Sequence, residues 1–381
     1  MTDRHLQWPR GVVAGCVIAF ILSNPGPAWA DNVRDKQWHL SALRVAEVHG
    51  ISQGDGVTVA VIDSGVDATH PDLTGNVLAG TDLTGAAGDG RTDTHGHGTA
   101  MASDIAGHGH DNGSGVLGLA PKAKILPVRI TTGATGGDIG SGIRWAVDHG
   151  AKIINVSRTS ADLSSVREAT EYALAKGAII VAGTGNESST NIGAPAKYPG
   201  VIAVSGLDKT GAHWTTSNHG PETVLAAPAV DITSARNGNR YAMADGTSDA
   251  TALVSATAAL IWSKYPQLDA NNVIHRLINS ADDKGKPGRD DQYGFGAVNP
   301  YRALTETPMT IDANPLTSKM PVSQTAATEP TPTTDPADDL GPSSGTYLTI
   351  FGVLGVSLLA ALTAVGVAFT RRRQRPTESD R

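Results

Sequence analysis

Short apolar runs rich in β-branched residues recur along the chain at residues 57–62, 123–130, 153–156, 178–182 and 201–204. The first reads Val57-Thr58-Val59-Ala60-Val61-Ile62, with Gly54 and Gly56 before it and Asp63-Ser64-Gly65 after it. Runs that are apolar at nearly every position, rather than at every second one, predict strands buried on both faces of a parallel sheet. Helical patterns separate several of them. In residues 139–149, Ile139, Ile143, Ala146 and Val147 share one face, and Gly150 ends the stretch; residues 164–176 form another. Strands alternating with helices predict an α/β fold with a mainly parallel sheet. Sites in such sheets form beyond the carboxyl ends of the strands, which is where Asp63 falls.

Two further apolar segments lie near the ends. Arg4 and Arg10, the uncharged stretch 11–22 and the Ala28-Trp29-Ala30 site make residues 1–30 a signal peptide. Residues 347–370 hold no charge and make a helix about 36 Å long, enough to cross a hydrocarbon core about 30 Å thick. Arg371, Arg372, Arg373 and Arg375 follow, which places residues 371–381 in the cytoplasm and the body outside the cell membrane, in a single-pass topology. Residues 308–346 carry seven prolines and few large apolar residues, the composition of a linker. Residues 31–56 are left as an N-terminal arm and 57–307 as the body. Gln37-Trp38-His39-Leu40 and Leu43 suggest that the arm lies on the body.

Composition narrows the functional classes. The net charge of -7 argues against a nucleic-acid partner. The single cysteine, Cys16, lies in the targeting segment, so a mature body has no disulfide and relies on a core large enough without staples.

Three short blocks carry candidate chemistry. Asp63-Ser64-Gly65 follows a buried strand, His97-Gly98-Thr99 opens a helical stretch, and Gly246-Thr247-Ser248 opens another at residues 250–264. Each alone also reads as a turn or a helix cap. Their combination is similar to the subtilisin family. Residues 59–66, continuing to His70-Pro71-Asp72-Leu73, resemble its aspartate block, residues 96–102 its histidine block, and residues 246–252 its serine block. The order Asp, His, Ser is that of subtilisins. The resemblance implies a subtilisin-like three-layer α/β fold, a serine endopeptidase acting on protein or peptide substrates, and Asp63, His97 and Ser248 as its triad. His97 rather than His95 fits the His-Gly-Thr-x-x-Ala frame. Residues 181–187 resemble the block that supplies an oxyanion-hole asparagine, here Asn186.

Two departures from the family stand out. The cleft-lining Ser-Leu-Gly-Gly reads Ser157-Arg158-Thr159-Ser160, adding a charge and two side chains where substrate backbone binds. Asp249 and Ala252 stand where the family often has Met and Pro. No catalytic cofactor is implied. Asp72 and the polar loop 108–115 fall where some subtilisins hold a structural calcium. The short arm, the Pro-rich tether, the single span and the Arg-rich end resemble the mycosins, subtilisin-like proteases attached to type VII secretion systems of actinobacteria, although many mycosins carry disulfides. That resemblance implies type VII secretion subunits as partners, and a second role as a structural scaffold with dispensable proteolysis.

Overall fold

The computed structural model describes residues 33–111, 113–130 and 136–317, except for the side chains of 136–138. The predicted signal peptide, the predicted span at 347–370 and most of the linker lie outside the described residues. Among the described residues no helix is long and apolar enough to cross a membrane.

The chain runs α1 (Trp38–Ala42), α2 (Val45–His49), β1 (Thr58–Asp63), β2 (Thr81–Asp82), α3 (His97–Ala106), β3 (His108–His110), β4 (Ser114–Leu117), β5 (Lys124–Arg129), α4 (Gly136–Asp148), β6 (Ile153–Val156), α5 (Ser164–Ala175), β7 (Ile179–Gly183), β8 (Ile202–Leu207), β9 (Thr223–Pro228), β10 (Ile232–Arg236), β11 (Arg240–Ala244), α6 (Thr247–Lys264), α7 (Ala270–Asn279) and α8 (Pro300–Thr305). A seven-stranded sheet has the order β2-β5-β1-β6-β7-β8-β9, and all its pairings are parallel. This is the α/β architecture with a parallel sheet that the apolar runs predict, and it agrees with the subtilisin-like fold that the resemblance implies. The five predicted strands become β1, β5, β6, β7 and β8, within a residue or so at most ends.

Helices cover the sheet in two pairs. α3 and α6 pack on each other, with α6 lying across β6, β7, β8 and β9; α4 and α5 pack on each other, with α4 against β1, β5 and β6. The run from Ala250 to Trp262 in α6 is buried throughout, which is why that helix shows no polar stripe. Its five alanines, Ala250, Ala252, Ala256, Ala258 and Ala259, let it lie close to the strands. The order of the strands places β1 and β6 at the centre, so the carboxyl ends of both open onto one cleft.

The N-terminal arm is part of this body. Leu43, Val45 and Val48 belong to the main core, and the Trp38 indole donates to the Val230 carbonyl at 2.9 Å. At the other boundary, residues 308–317 do not leave the surface. Leu316 packs on the core and its carbonyl accepts from Gly200 N at 3.0 Å. Composition assigns these residues to the linker because the apolar contact is a single leucine among Pro, Asn and Thr.

Candidate active site

Asp63 is the last residue of β1 and is completely buried. Its Oδ2 lies 2.8 Å from His97 Nδ1, while its Oδ1 accepts from Ser64 N at 2.7 Å and from an Arg158 guanidinium nitrogen at 3.0 Å. Burial alone pushes this carboxyl up, but His97, Arg158 and the Ser64 N–H outweigh it and hold the value at about 2. Burial likewise works against charging His97, yet Asp63 and then Asp249 raise its pKa above the ordinary histidine value, with Arg158 opposing them.

The close approach of α3 to the end of β1 depends on two glycines. Gly65 has φ +95°, and a Cβ on Gly98 would lie 2.1 Å from the Gly65 carbonyl oxygen. Asp93, which the sequence reading does not single out, ties this junction together. Its Oδ1 accepts from His95 N, Gly96 N and Ser64 Oγ at 2.9, 2.8 and 2.9 Å. Its Oδ2 accepts from Thr99 N and Thr99 Oγ1 at 3.0 and 2.6 Å. An acid a few residues before a helical pattern is the signal that could have found it.

Ser248 stands in the first turn of α6, across the cleft from His97. Its Oγ donates to the Ser157 carbonyl at 3.3 Å, and no hydrogen bond joins it to His97 among the described residues. Such bonds are often long before substrate binds. Asn186 follows β7 on the same cleft. Its Oδ1 accepts from Thr247 N at 3.0 Å and Thr247 Oγ1 at 2.9 Å. That fixes the amide orientation and leaves Nδ2 as a donor with no bond to the described residues.

Ser157 holds the wall to the nucleophile's helix. Its Oγ accepts from Asn155 Nδ2 and donates to the Ser248 carbonyl, both at 3.0 Å, and Asn155 is itself held by Ser255 Oγ at 2.9 Å. Thr159 lines the cleft, whereas Ser160 does not: its hydroxyl turns to the Ala161 carbonyl, and its backbone exchanges two bonds with Ala194. The expectation that Ser160 adds a side chain to the cleft is therefore corrected, because that backbone pairing rotates it outward. Arg158 reaches back to Asp63, a contact its sequence position does not reveal.

The subtilase (peptidase S8) family pattern matches residues 54–296, well over half of the chain. The chain belongs to the subtilase family. A thermostable alkaline protease of Halalkalibacterium halodurans is 37% identical over 272 residues, covering 70% of this chain and 73% of that protein. Subtilisin DY of Bacillus licheniformis is 37% identical, covering 65% of this chain and 90% of its own. Among solved structures, MycP1, a serine protease titled an essential component of the type VII (ESX-1) secretion system, matches with a TM-score of 0.66 at 31% identity, covering 73% of this chain and 91% of that one. MycP1 from Mycobacterium smegmatis matches at 28% identity with a TM-score of 0.64, covering 76% of this chain and 91% of that one. Subtilases are serine endopeptidases, and this subtilase is one.

The residues at the candidate calcium position of this subtilase do not fit the ion. Both oxygens of Asp72 are engaged, Oδ1 with His110 Nδ1 at 2.5 Å and Oδ2 with Val116 N at 2.9 Å. The loop carbonyls of Gly115 and Ser114 accept from Arg34 at 3.2 and 3.0 Å. A guanidinium from the arm thus takes oxygens that a cation requires. Among the described residues no group of three His, Cys, Asp or Glu side chains is placed to hold a metal. Asp249, the other departure, turns away from the cleft: it is buried beside Asp104 of α3.

Proposed function

We propose that Asp63, His97 and Ser248 are the catalytic triad of a membrane-anchored, extracytoplasmic serine endopeptidase, with Asn186 in its oxyanion hole. The observation that carries this reading is the 2.8 Å contact between His97 Nδ1 and a buried Asp63, on a cleft that Ser248 and Asn186 also line. Ser248 Oγ turns from the Ser157 carbonyl to His97 Nε2, which takes its proton as the oxygen attacks the peptide carbonyl; the same imidazole then protonates the leaving amine. Asp63 holds the tautomer with the proton on Nδ1 and stabilises the imidazolium. Asn186 Nδ2 and the Ser248 N–H donate to the oxyanion. The backbone of Arg158 and Thr159, which has no backbone partner among the described residues, accepts substrate as an added strand. Arg158 and Thr159 narrow that edge, which favours selective processing over general digestion.

The likeness to MycP1, together with the apolar C-terminal segment, supports anchoring at a type VII secretion system. Full-length Ser248→Ala is the test. It loses peptide hydrolysis and labelling by a fluorophosphonate; labelling at wild-type level refutes the assignment of the nucleophile. If the Ser248→Ala protein still copurifies with secretion subunits and restores export, the scaffold role dominates. If export is lost while copurification persists, proteolysis is what the system requires.

A further inference from the structure

Asp104 lies two turns along α3 from His97, and Asp249 follows Ser248 directly in α6. Both acids are buried, at 0% and 4% exposure, at the seam where α3 packs on α6, and each carboxyl acts electrostatically on the other. Ser234 Oγ of β10 donates to Asp104 Oδ1 at 2.6 Å. Asp104 Oδ2 has no donor among the described groups. Two carboxylates cannot face each other in so dry a site without strong repulsion. One proton between them removes that repulsion and gives the orphan oxygen its bond.

We propose that Asp104 and Asp249 share one proton, carried by Asp104, and that the Asp249 carboxylate is a positioning residue for the triad, tying the helix of His97 to the helix of Ser248 and acting on His97 from behind the cleft as a second anion. This rests on reading His97 as the catalytic base. The charged groups around the pair are His97 on α3 and Arg236 on β10. Burial is the largest influence and pushes both carboxyls up. Asp104 is the more deeply buried of the two, and its Oδ2 is the oxygen left without a donor while Ser234 serves only Oδ1, so the proton resides on Asp104. His97 in turn is raised by Asp249 after Asp63. Because the folded protein holds protons that the unfolded chain releases more readily, this contribution to stability is present in acid and lost as pH rises through the folded values. At alkaline pH the last shared proton leaves, and two anions then stand between α3 and α6. Activity should fall reversibly there, although His97 remains a competent base.

Full-length wild type, Asp104→Asn and Asp249→Asn are compared by kcat/KM and Tm against pH, with fluorophosphonate labelling as the check on the triad. The amide that Asp104→Asn introduces still donates a hydrogen bond to the Asp249 carboxylate. This variant should therefore keep the acid limb of kcat/KM at the wild-type pH, while its alkaline decline in Tm starts about one pH unit higher or disappears. Asp249→Asn should move the acid limb down by roughly 0.5–1 pH unit, because His97 loses an anion. An acid limb unmoved in Asp249→Asn, with an alkaline Tm decline unchanged in both variants, overturns the proposal. If the variants do not fold, infrared spectroscopy of the wild type decides: a protonated-carboxyl band at pH 7 that vanishes reversibly in alkali supports the shared proton, and its absence at pH 7 refutes it. Loss of wild-type labelling would instead refute the triad and leave the infrared result standing.

Discussion

Asn186 separates a catalytic contribution from a structural one within a single side chain. Its Oδ1 accepts from Thr247 N and Oγ1, and its Nδ2 is left for the cleft. Replacing Asn186 with Ala removes both functions. The lost donor costs about 3–4 kcal/mol of transition-state stabilisation, a fall in kcat of roughly 10²–10³-fold. The Thr247 N–H, on a buried residue, also loses its acceptor, at a cost of roughly 1–3 kcal/mol of folding stability. Asn186→Asp keeps the acceptor oxygens and changes only the donor. It should therefore retain a Tm close to wild type, while kcat falls at least as far as in Asn186→Ala, because a carboxylate now faces the developing negative charge. The assay is steady-state hydrolysis of a cleaved peptide beside thermal melts of both variants. KM should change little, since the interaction forms in the transition state. A kcat for Asn186→Asp within about tenfold of wild type would show that Nδ2 does not serve the oxyanion.

Other outcomes follow from the contacts of Arg158, Arg34 and Asp63. Arg158→Leu removes a positive charge that opposes charging of His97, so the acid limb of kcat/KM should move to higher pH; a limb that stays in place refutes the coupling. Asp63 lies low in the folded protein, so its contribution to stability is present above the unfolded carboxylate value and is lost as pH falls from about 4 towards 2. Arg158→Leu should shift that acid unfolding to higher pH, as followed by circular dichroism. Chelation by EDTA should leave Tm unchanged, whereas Arg34→Ala, which strands the carbonyls of Ser114 and Gly115, should lower Tm by roughly 2–10 °C; a Tm that falls with EDTA and recovers with calcium would contradict the fit at Asp72.

Much of the fold is written in local pattern. β1, β5, β6, β7 and β8 are legible because a strand covered on both faces must be apolar at nearly every position, and α4 because its apolar residues recur with helical period. The hairpin β10–β11 is not legible in this way: β11 has no buried position and reads Arg240-Tyr241-Ala242-Met243-Ala244, without the β-branched residues that mark the other strands. β9 is buried at all six positions, but its apolar run is only Val224-Leu225-Ala226-Ala227 and closes on two alanines and Pro228, so its pattern is weak for another reason. The three blocks that hold Asp63, His97 and Ser248 are contiguous in sequence, since each places its functional side chain by the backbone of its own strand end or helix start. What surrounds them is not contiguous. Arg158 meets Asp63 across 95 positions and Ser234 meets Asp104 across 130. Asp93 reads as an ordinary loop acid until Ser64 and α3 are brought to it, and Arg34 as an ordinary surface charge until the loop of Ser114 and Gly115 folds over it. Local composition decides which segments are strands and which residues could react. Only the packing of α3 and α6 on the sheet decides which charges share a dry space, and therefore which protons they hold.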